Sequence, residues 1–205
     1  MRRLLTLLTL CSAAGCGLSD DPRDEANRYE YIRLTDPAFE AWCLREADTD
    51  GDGRISRYEA QRIRRIDCRG CGIASLWEIG EFSRLESLDC SGNAIEELRL
   101  GACPLLRRVD CSGNRLAALD TQGLRSLTEL ACSQNRLTRL DVETNAALQT
   151  LLCASNPLTA LDVSACAQTM ERVDATDCPL GIFYRGAGQT IRRLALDDPT
   201  IVAER

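Results

Sequence analysis

The sequence predicts an α/β, β-dominated solenoid: a coil of short parallel strands with a helical cap at its N-terminal end and a short β cap at its C-terminal end. Three observations predict it. Cys90, Cys111, Cys132 and Cys153 recur every 21 residues, and Asn93, Asn114, Asn135 and Asn156 recur in the same register. Aromatic residues make up only 4% of the chain, so its core has to be built from aliphatic side chains in a regular array. An acidic, glycine-containing loop stands just before the first repeat, between two stretches of helical character.

The chain opens with Arg2 and Arg3 ahead of the apolar run Leu4 to Leu10, which is far too short to span a bilayer and has the form of a secretion signal. The run ends in Ala13-Ala14-Gly15-Cys16, which resembles the bacterial lipobox. That resemblance implies a signal peptide over residues 1–16, lipidation of Cys16, and a membrane partner through the lipid anchor. Glycine rather than aspartate after the cysteine implies, by the same resemblance, an outer-membrane or cell-surface lipoprotein of the bacterial envelope. Residues 17–35 are polar and acid-rich at their start and are expected to form a flexible tether.

Residues 36–64 are expected to form the helical cap. Phe39, Trp42 and Cys43 fall on one helical face within Pro37 to Ala47, and Arg57 to Arg65 supplies an exiting helix. Between them, Asp48-Thr49-Asp50-Gly51-Asp52-Gly53-Arg54-Ile55-Ser56-Arg57-Tyr58-Glu59 resembles a twelve-residue EF-hand loop at each diagnostic position. The resemblance implies Ca2+ held by the carboxylates of Asp48, Asp50 and Asp52, the backbone carbonyl of Arg54, Ser56 directly or through water, and Glu59 in bidentate fashion. Gly53 permits the sharp turn, and Ile55 is the apolar contact onto the core. Only one such loop is present, which favours a structural clamp over a sensing switch.

The solenoid is placed at residues 65–180. Units aligned from Ile63, Leu85, Leu106, Leu127, Leu148 and Met170 carry a second rung at Ile66, Leu88, Val109, Leu130, Leu151 and Val173. Further rungs fall at Ile73, Ile95, Leu116, Leu137, Leu158 and Leu180, and at Leu76, Leu98, Leu119, Leu140, Leu161 and Phe183. In a short strand, side chains alternate, so the rung and the cysteine two positions on both point inward while the residue between them faces out. The pattern Leu-x-x-Leu-x-Cys-x-x-Asn-x-Leu resembles the leucine-rich repeat, in a bacterial 21-residue form. It implies a right-handed coil in which the asparagine side chains form a ladder of bonds to neighbouring backbone groups. Six units need closing at both edges, and residues 181–205 are assigned to the C-terminal cap, with strands at Ile182 to Tyr184 and Thr200 to Ala203.

Twelve cysteines admit disulfides, a metal site or a nucleophile, yet most of them sit in the register of the repeat. Cys68, Cys90, Cys111, Cys132 and Cys153 occupy one inward column, where a free thiol behaves as a small hydrophobe. Cys68-x-x-Cys71 lacks the additional ligands of a zinc site and the context of a redox motif.

The chain has no lysine and no histidine, so histidine-based acid–base chemistry is excluded, and no nucleophile stands with a plausible base. Net charge is −6, and removal of Arg2 and Arg3 with the signal takes it to −8, which disfavours nucleic acid as a partner. The outward strand positions offer a candidate concave binding face: Arg65, Asp67, Asp89, Arg108, Asp110, Glu129, Leu152, Arg172 and Asp174, with Ser87, Ala131 and Thr150 among them. These features point to a non-enzymatic, monomeric envelope lipoprotein that binds a protein, or a glycan, on that strip in an adhesin-like role. The alternatives are a purely structural lipoprotein or a glycan-binding accessory protein.

Overall fold

The computed structural model describes residues 30–205. The signal over 1–16, the lipidation site Cys16 and residues 17–29 of the tether lie outside the described residues.

Each coil contributes one three-residue strand to a parallel sheet. β1 (Arg65–Asp67), β2 (Ser87–Asp89), β3 (Arg108–Asp110), β4 (Glu129–Ala131), β5 (Thr150–Leu152) and β8 (Arg172–Asp174) pair residue for residue, and β11 (Leu194–Ala195) adds a seventh strand. The middle residue of each of the first six is buried and its neighbours face out, as side-chain alternation requires. The remaining predicted rungs are buried as well, except Ile63, which packs against the core while partly exposed.

A second parallel sheet flanks the coil, with β6 (Ala160–Asp162), β9 (Ile182–Arg185) and β12 (Ile201–Glu204) in the order β12-β9-β6. A third pairs β7 (Thr169–Met170) with β10 (Thr190–Ile191). Residues 181–205 were assigned to a cap, and the strands expected at Ile182 and Thr200 are present. Their neighbours Leu194 and Ala195 pair with Val173 and Asp174, however, so the segment forms one more coil. Like the sixth coil, which has Ala175 and Cys178 at those positions, this turn carries neither the column cysteine nor the asparagine, so the repeat signal fades toward it.

The asparagines make the strands end where they do. The Asn114 Nδ2 group donates to the carbonyls of Cys90, Cys111 and Ser112, at 3.0, 3.0 and 3.4 Å, while its Oδ1 accepts from the Ile95 N–H. Asn93, Asn135 and Asn156 repeat this set one coil apart. In the sixth coil Cys178 stands in the asparagine's place, and its thiol donates to the Cys153 carbonyl. The residue just before the asparagine takes a left-handed conformation, which suits Gly92 and Gly113 but is also adopted by Gln134 and Ser155.

At the N-terminal end, α1 (Pro37–Glu46) lies over the first coil with Phe39, Trp42 and Cys43 buried. Asp36 caps α1, its Oδ1 accepting from the Ala38 and Phe39 N–H groups, and its Oδ2 accepts from Ala74 and Ser75 in the first coil. The Trp42 indole N–H donates to the Asp67 carbonyl at 2.8 Å, covering the outer edge of β1. The exiting helix, expected over Arg57 to Arg65, is a single turn, α2 (Arg57–Ala60), because the chain has to extend into β1 at Arg65.

Two predictions follow from these bonds. Asn114→Ala leaves several buried backbone groups without partners, so its cost is expected toward the upper end of about 1–3 kcal/mol; thermal unfolding that matches the parent would refute the ladder's role. Burial alone would raise the Asp36 pKa, but the N–H groups of Phe39, Ala74, Ser75 and Ala38 hold it below the usual carboxylate value. Its stabilisation is therefore present above the unfolded-state value near 3.9 and is lost as pH falls through the lower folded value. Asp36→Asn should destabilise at pH 7, and the gap to the parent should narrow below about pH 4; a gap independent of pH in denaturant titrations would exclude the carboxylate as its cause.

Candidate functional site

Two regions bring polar side chains together. The first is the acidic loop between α1 and α2. Carboxylate oxygens of Asp48, Asp50 and Asp52 lie within 4.8 Å of one another. The backbone arranges them: Asp48 accepts from the Gly51 and Gly53 N–H groups, Asp50 from Asp52 and Asp52 from Arg54, while Gly51 and Gly53 take left-handed conformations. Such a concentration of hard oxygens suits a calcium-sized cation.

The other ligand candidates are placed differently. Glu59 is buried outside the three-aspartate group, with Oε1 accepting from the N–H and hydroxyl of Thr49 and Oε2 from the N–H and hydroxyl of Ser56. Burial would raise its pKa, but these donors on Ser56 and Thr49 hold it below the ordinary value. Ser56 caps α2 in a reciprocal box with Glu59. The Arg54 guanidinium stacks 3.9 Å from the centre of the Tyr31 ring.

Residues 30–35 belong to the tether in the sequence reading, yet the structure holds them against this loop. The Ile32 N–H donates to the Ile55 carbonyl and the Arg57 N–H to the Glu30 carbonyl, forming an antiparallel bridge between Tyr31 and Ser56. The Tyr31 hydroxyl donates to Asp52 Oδ2 at 2.9 Å. The strap thus covers a backbone edge that a lone loop would leave open. Sequence reasoning missed it, although the alternation of Tyr31, Ile32, Arg33 and Leu34 is a short strand signal.

The second region is the outward face of the main sheet, which gathers all the predicted strip residues. Arg65, Ser87, Arg108, Glu129, Thr150 and Arg172 form one row, and Asp67, Asp89, Asp110, Ala131, Leu152 and Asp174 the other. A shallow groove of about 280 Å³ runs along it from Arg65 to Leu152.

The strip is neutralised at its ends. Arg69 reaches Asp67 at 2.6 Å and Asp89 at 3.5 Å, and Arg172 reaches Asp174 at 2.7 Å. The Arg69 guanidinium holds Asp67 below the usual carboxylate range; for Asp174, burial raises the pKa, but Arg172 and Thr176 together outweigh it. Among the described residues, Arg108, Asp110 and Glu129 form no ion pair in the middle of the strip, beside the small apolar floor of Ala131 and Leu152.

The cysteine column offers no reactive centre of its own. Cys68, Cys90, Cys111, Cys132 and Cys153 are free thiols buried beneath the strip. Burial pushes Cys68 up to about 12 and Cys90, Cys111 and Cys132 well above their ordinary value, which suppresses the thiolate that nucleophilic or metal chemistry needs. No helix among the described residues is long and apolar enough to cross a membrane.

No protein-family model matches the sequence, and a search of curated proteins finds no match. Solved structures do match. The functional domain of InlJ from Listeria monocytogenes, described as including a cysteine ladder, aligns with a TM-score of 0.60 and 29% identity over 74% of this chain and 36% of that one. The chain therefore spans about a third of that neighbour's length. Internalin C2 from the same organism aligns with a TM-score of 0.51 and 16% identity over 83% of this chain and 93% of its own. The fold is thus a parallel β-solenoid of about seven turns, similar to those of bacterial leucine-rich-repeat internalins.

Proposed function

We propose that the chain is a non-enzymatic protein-interaction module of the bacterial envelope, anchored through lipidated Cys16 and binding its partner on the concave strip. The observation that carries this reading is the middle of the strip, where, among the described residues, Arg108, Asp110 and Glu129 form no ion pair beside Ala131 and Leu152. Everywhere else along the strip, an internal arginine already satisfies the nearest carboxylates. A partner chain that brings a cationic side chain and a small apolar one would complement this centre, and rigid parallel strands would spend little entropy in receiving it.

Calcium is the second part of the proposal. Asp48, Asp50 and Asp52 would hold the ion with the Arg54 carbonyl, and Ser56 and Glu59 would complete its oxygen shell by exchanging the bonds that now join Glu59 to Thr49 and Ser56. Bound there, calcium would neutralise three adjacent carboxylates and stiffen the loop. The chain's own residues pass that rigidity on: Tyr31 ties the strap to Asp52, and α1 closes the first coil through Asp36 and Trp42. The cap then serves as a clamp for the binding strip.

Two experiments test the two parts. Thermal unfolding with calcium or chelator should show stabilisation in step with direct titration: at about 10 mM calcium and a dissociation constant near 1 mM, linkage gives about 1.4 kcal/mol. Asp50→Asn should abolish most of it, and equal unfolding in calcium and chelator would reject the clamp. For the strip, peptide display against the immobilised chain should enrich basic sequences that lose at least about tenfold in affinity on Leu152→Arg, which removes the apolar floor and repels a cationic side chain. Enriched peptides indifferent to Leu152→Arg, or no enrichment at all, would leave a purely structural lipoprotein as the better reading.

A further inference from the structure

The two ends of the coil are built differently. At the N-terminal end the core is closed: α1 lies on it, Phe39 is fully buried with its ring 5.7 Å from that of Phe82, and Trp42 occupies the carbonyl at the outer edge of β1. At the other end the inward columns run out into solvent. Along the main sheet, Leu130, Leu151 and Val173 are no more than 1% exposed, but the next rung, Leu194, is 40% exposed. Along the flanking sheet, Leu161 and Phe183 are buried and Val202, in register with Phe183, is 48% exposed.

All three sheets end on this last coil, with β11, β12 and β10 as their outer strands. The Val173 and Ala175 N–H groups use the Arg193 and Ala195 carbonyls, so parallel-ladder geometry turns the N–H and C=O of Leu194 away from β8. In the same way, Ile201 and Arg205 bond back to Gly181 and Arg185, which turns the backbone groups of Val202 and Glu204 outward. Ile201, 62% exposed, adds to the apolar rim. Unpaired strand edges beside exposed core rungs form a surface that favours strand pairing and burial.

We propose that this end is an interface for a second copy of the chain, joined tail to tail about a two-fold axis. Two features select that occupant. A head-to-tail stack would need a free end on each side, and α1 already covers one of them, so only the closed, isologous arrangement remains for self-association. The charges also complement each other under two-fold symmetry: Arg193 precedes β11 and Asp197 and Asp198 follow it, while Arg192 is already paired with Glu171, so antiparallel pairing of β11 about Ala195 sets Arg193 of each copy against Asp197 of the other. The main sheet would then run on from one copy into the next, and Leu194 would meet Leu196 of the second copy as a core rung.

A single coil's end is smaller than the roughly 800 Å² per partner of a standard interface, so the dimer is expected to be weak and concentration-dependent. In sedimentation equilibrium of the purified full chain, the mass should rise from monomer toward dimer across roughly 5–500 µM and stop there. Leu194→Arg and, at the more exposed position, Ile201→Lys should each hold the chain monomeric while circular dichroism reports an unchanged fold; Leu152→Glu, on the concave strip, should leave the dimer intact. Arg193→Asp should weaken association, and Arg193→Asp combined with Asp197→Arg should restore it. A monomer throughout the range, growth past a dimer, or a dimer indifferent to Leu194→Arg and Ile201→Lys would overturn the proposal.

Discussion

A coil that leaves its strand every 21 residues has to bury the backbone at the exit, and the carbonyls there have no strand to bond. One side chain resolves this in each coil. An asparagine amide has two donors and an acceptor on a short stem, enough to bond the exit carbonyls of its own coil and of the one before while receiving an N–H from the turn. The bonds link successive coils, so the register of one strand fixes the next, and the spacing of the outward rows follows from it. Neither the outward strip nor the thiol column beneath it has an independent geometry.

The same demand recurs at the turns that precede the strands, where it is met less uniformly. The fully buried Asn145 donates to the carbonyls of Thr121 and Leu124, the Thr121 hydroxyl lies within hydrogen-bond distance of Asn145 Oδ1 and of the Asp141 carbonyl and has one proton to give to either, and Gln189 reaches the Val163, Cys166 and Ala167 carbonyls. Cys103 and Cys166 occupy equivalent positions and direct their thiols to carbonyls of the preceding coil. A cysteine there does part of what the amide does, with a weaker donor and no acceptor for a backbone N–H. Thiols persist in both columns because they fill the space and tolerate burial in their protonated form.

This division explains what was legible in the sequence. The rungs, the cysteine column and the asparagines at the strand exits each recur in a fixed register, so the strands, their inward faces and the outward strip could be read directly. The closures occur once and leave no period. Asp36 reaches residues 38 and 39 positions away along the chain, and Tyr31 meets Asp52 from a segment with little local signal. The seventh coil was hidden for a related reason: Gln189 replaces a residue that is asparagine, leucine or cysteine elsewhere, and Leu194 and Val202 are core rungs that no further rung covers. The acidic loop was legible as a local motif, whereas the bonding of Glu59 to Thr49 and Ser56 depends on how α2 is cut short by β1.

The two ends also constrain how the strip is used. Asp36 and Trp42 fix α1 on the first coil, and at that end Arg69 compensates the outermost aspartates. Charge left uncompensated on a rigid surface costs stability unless solvent or a partner meets it, and solvent does so cheaply on an open, shallow strip. Arg108, Asp110 and Glu129, which form no ion pair among the described residues, are therefore left so at little cost. Leu194 and Val202 are in the opposite position, since water does not compensate an exposed core rung as it does a charge. An open strip therefore costs this fold little, whereas an open last coil leaves apolar rungs in water.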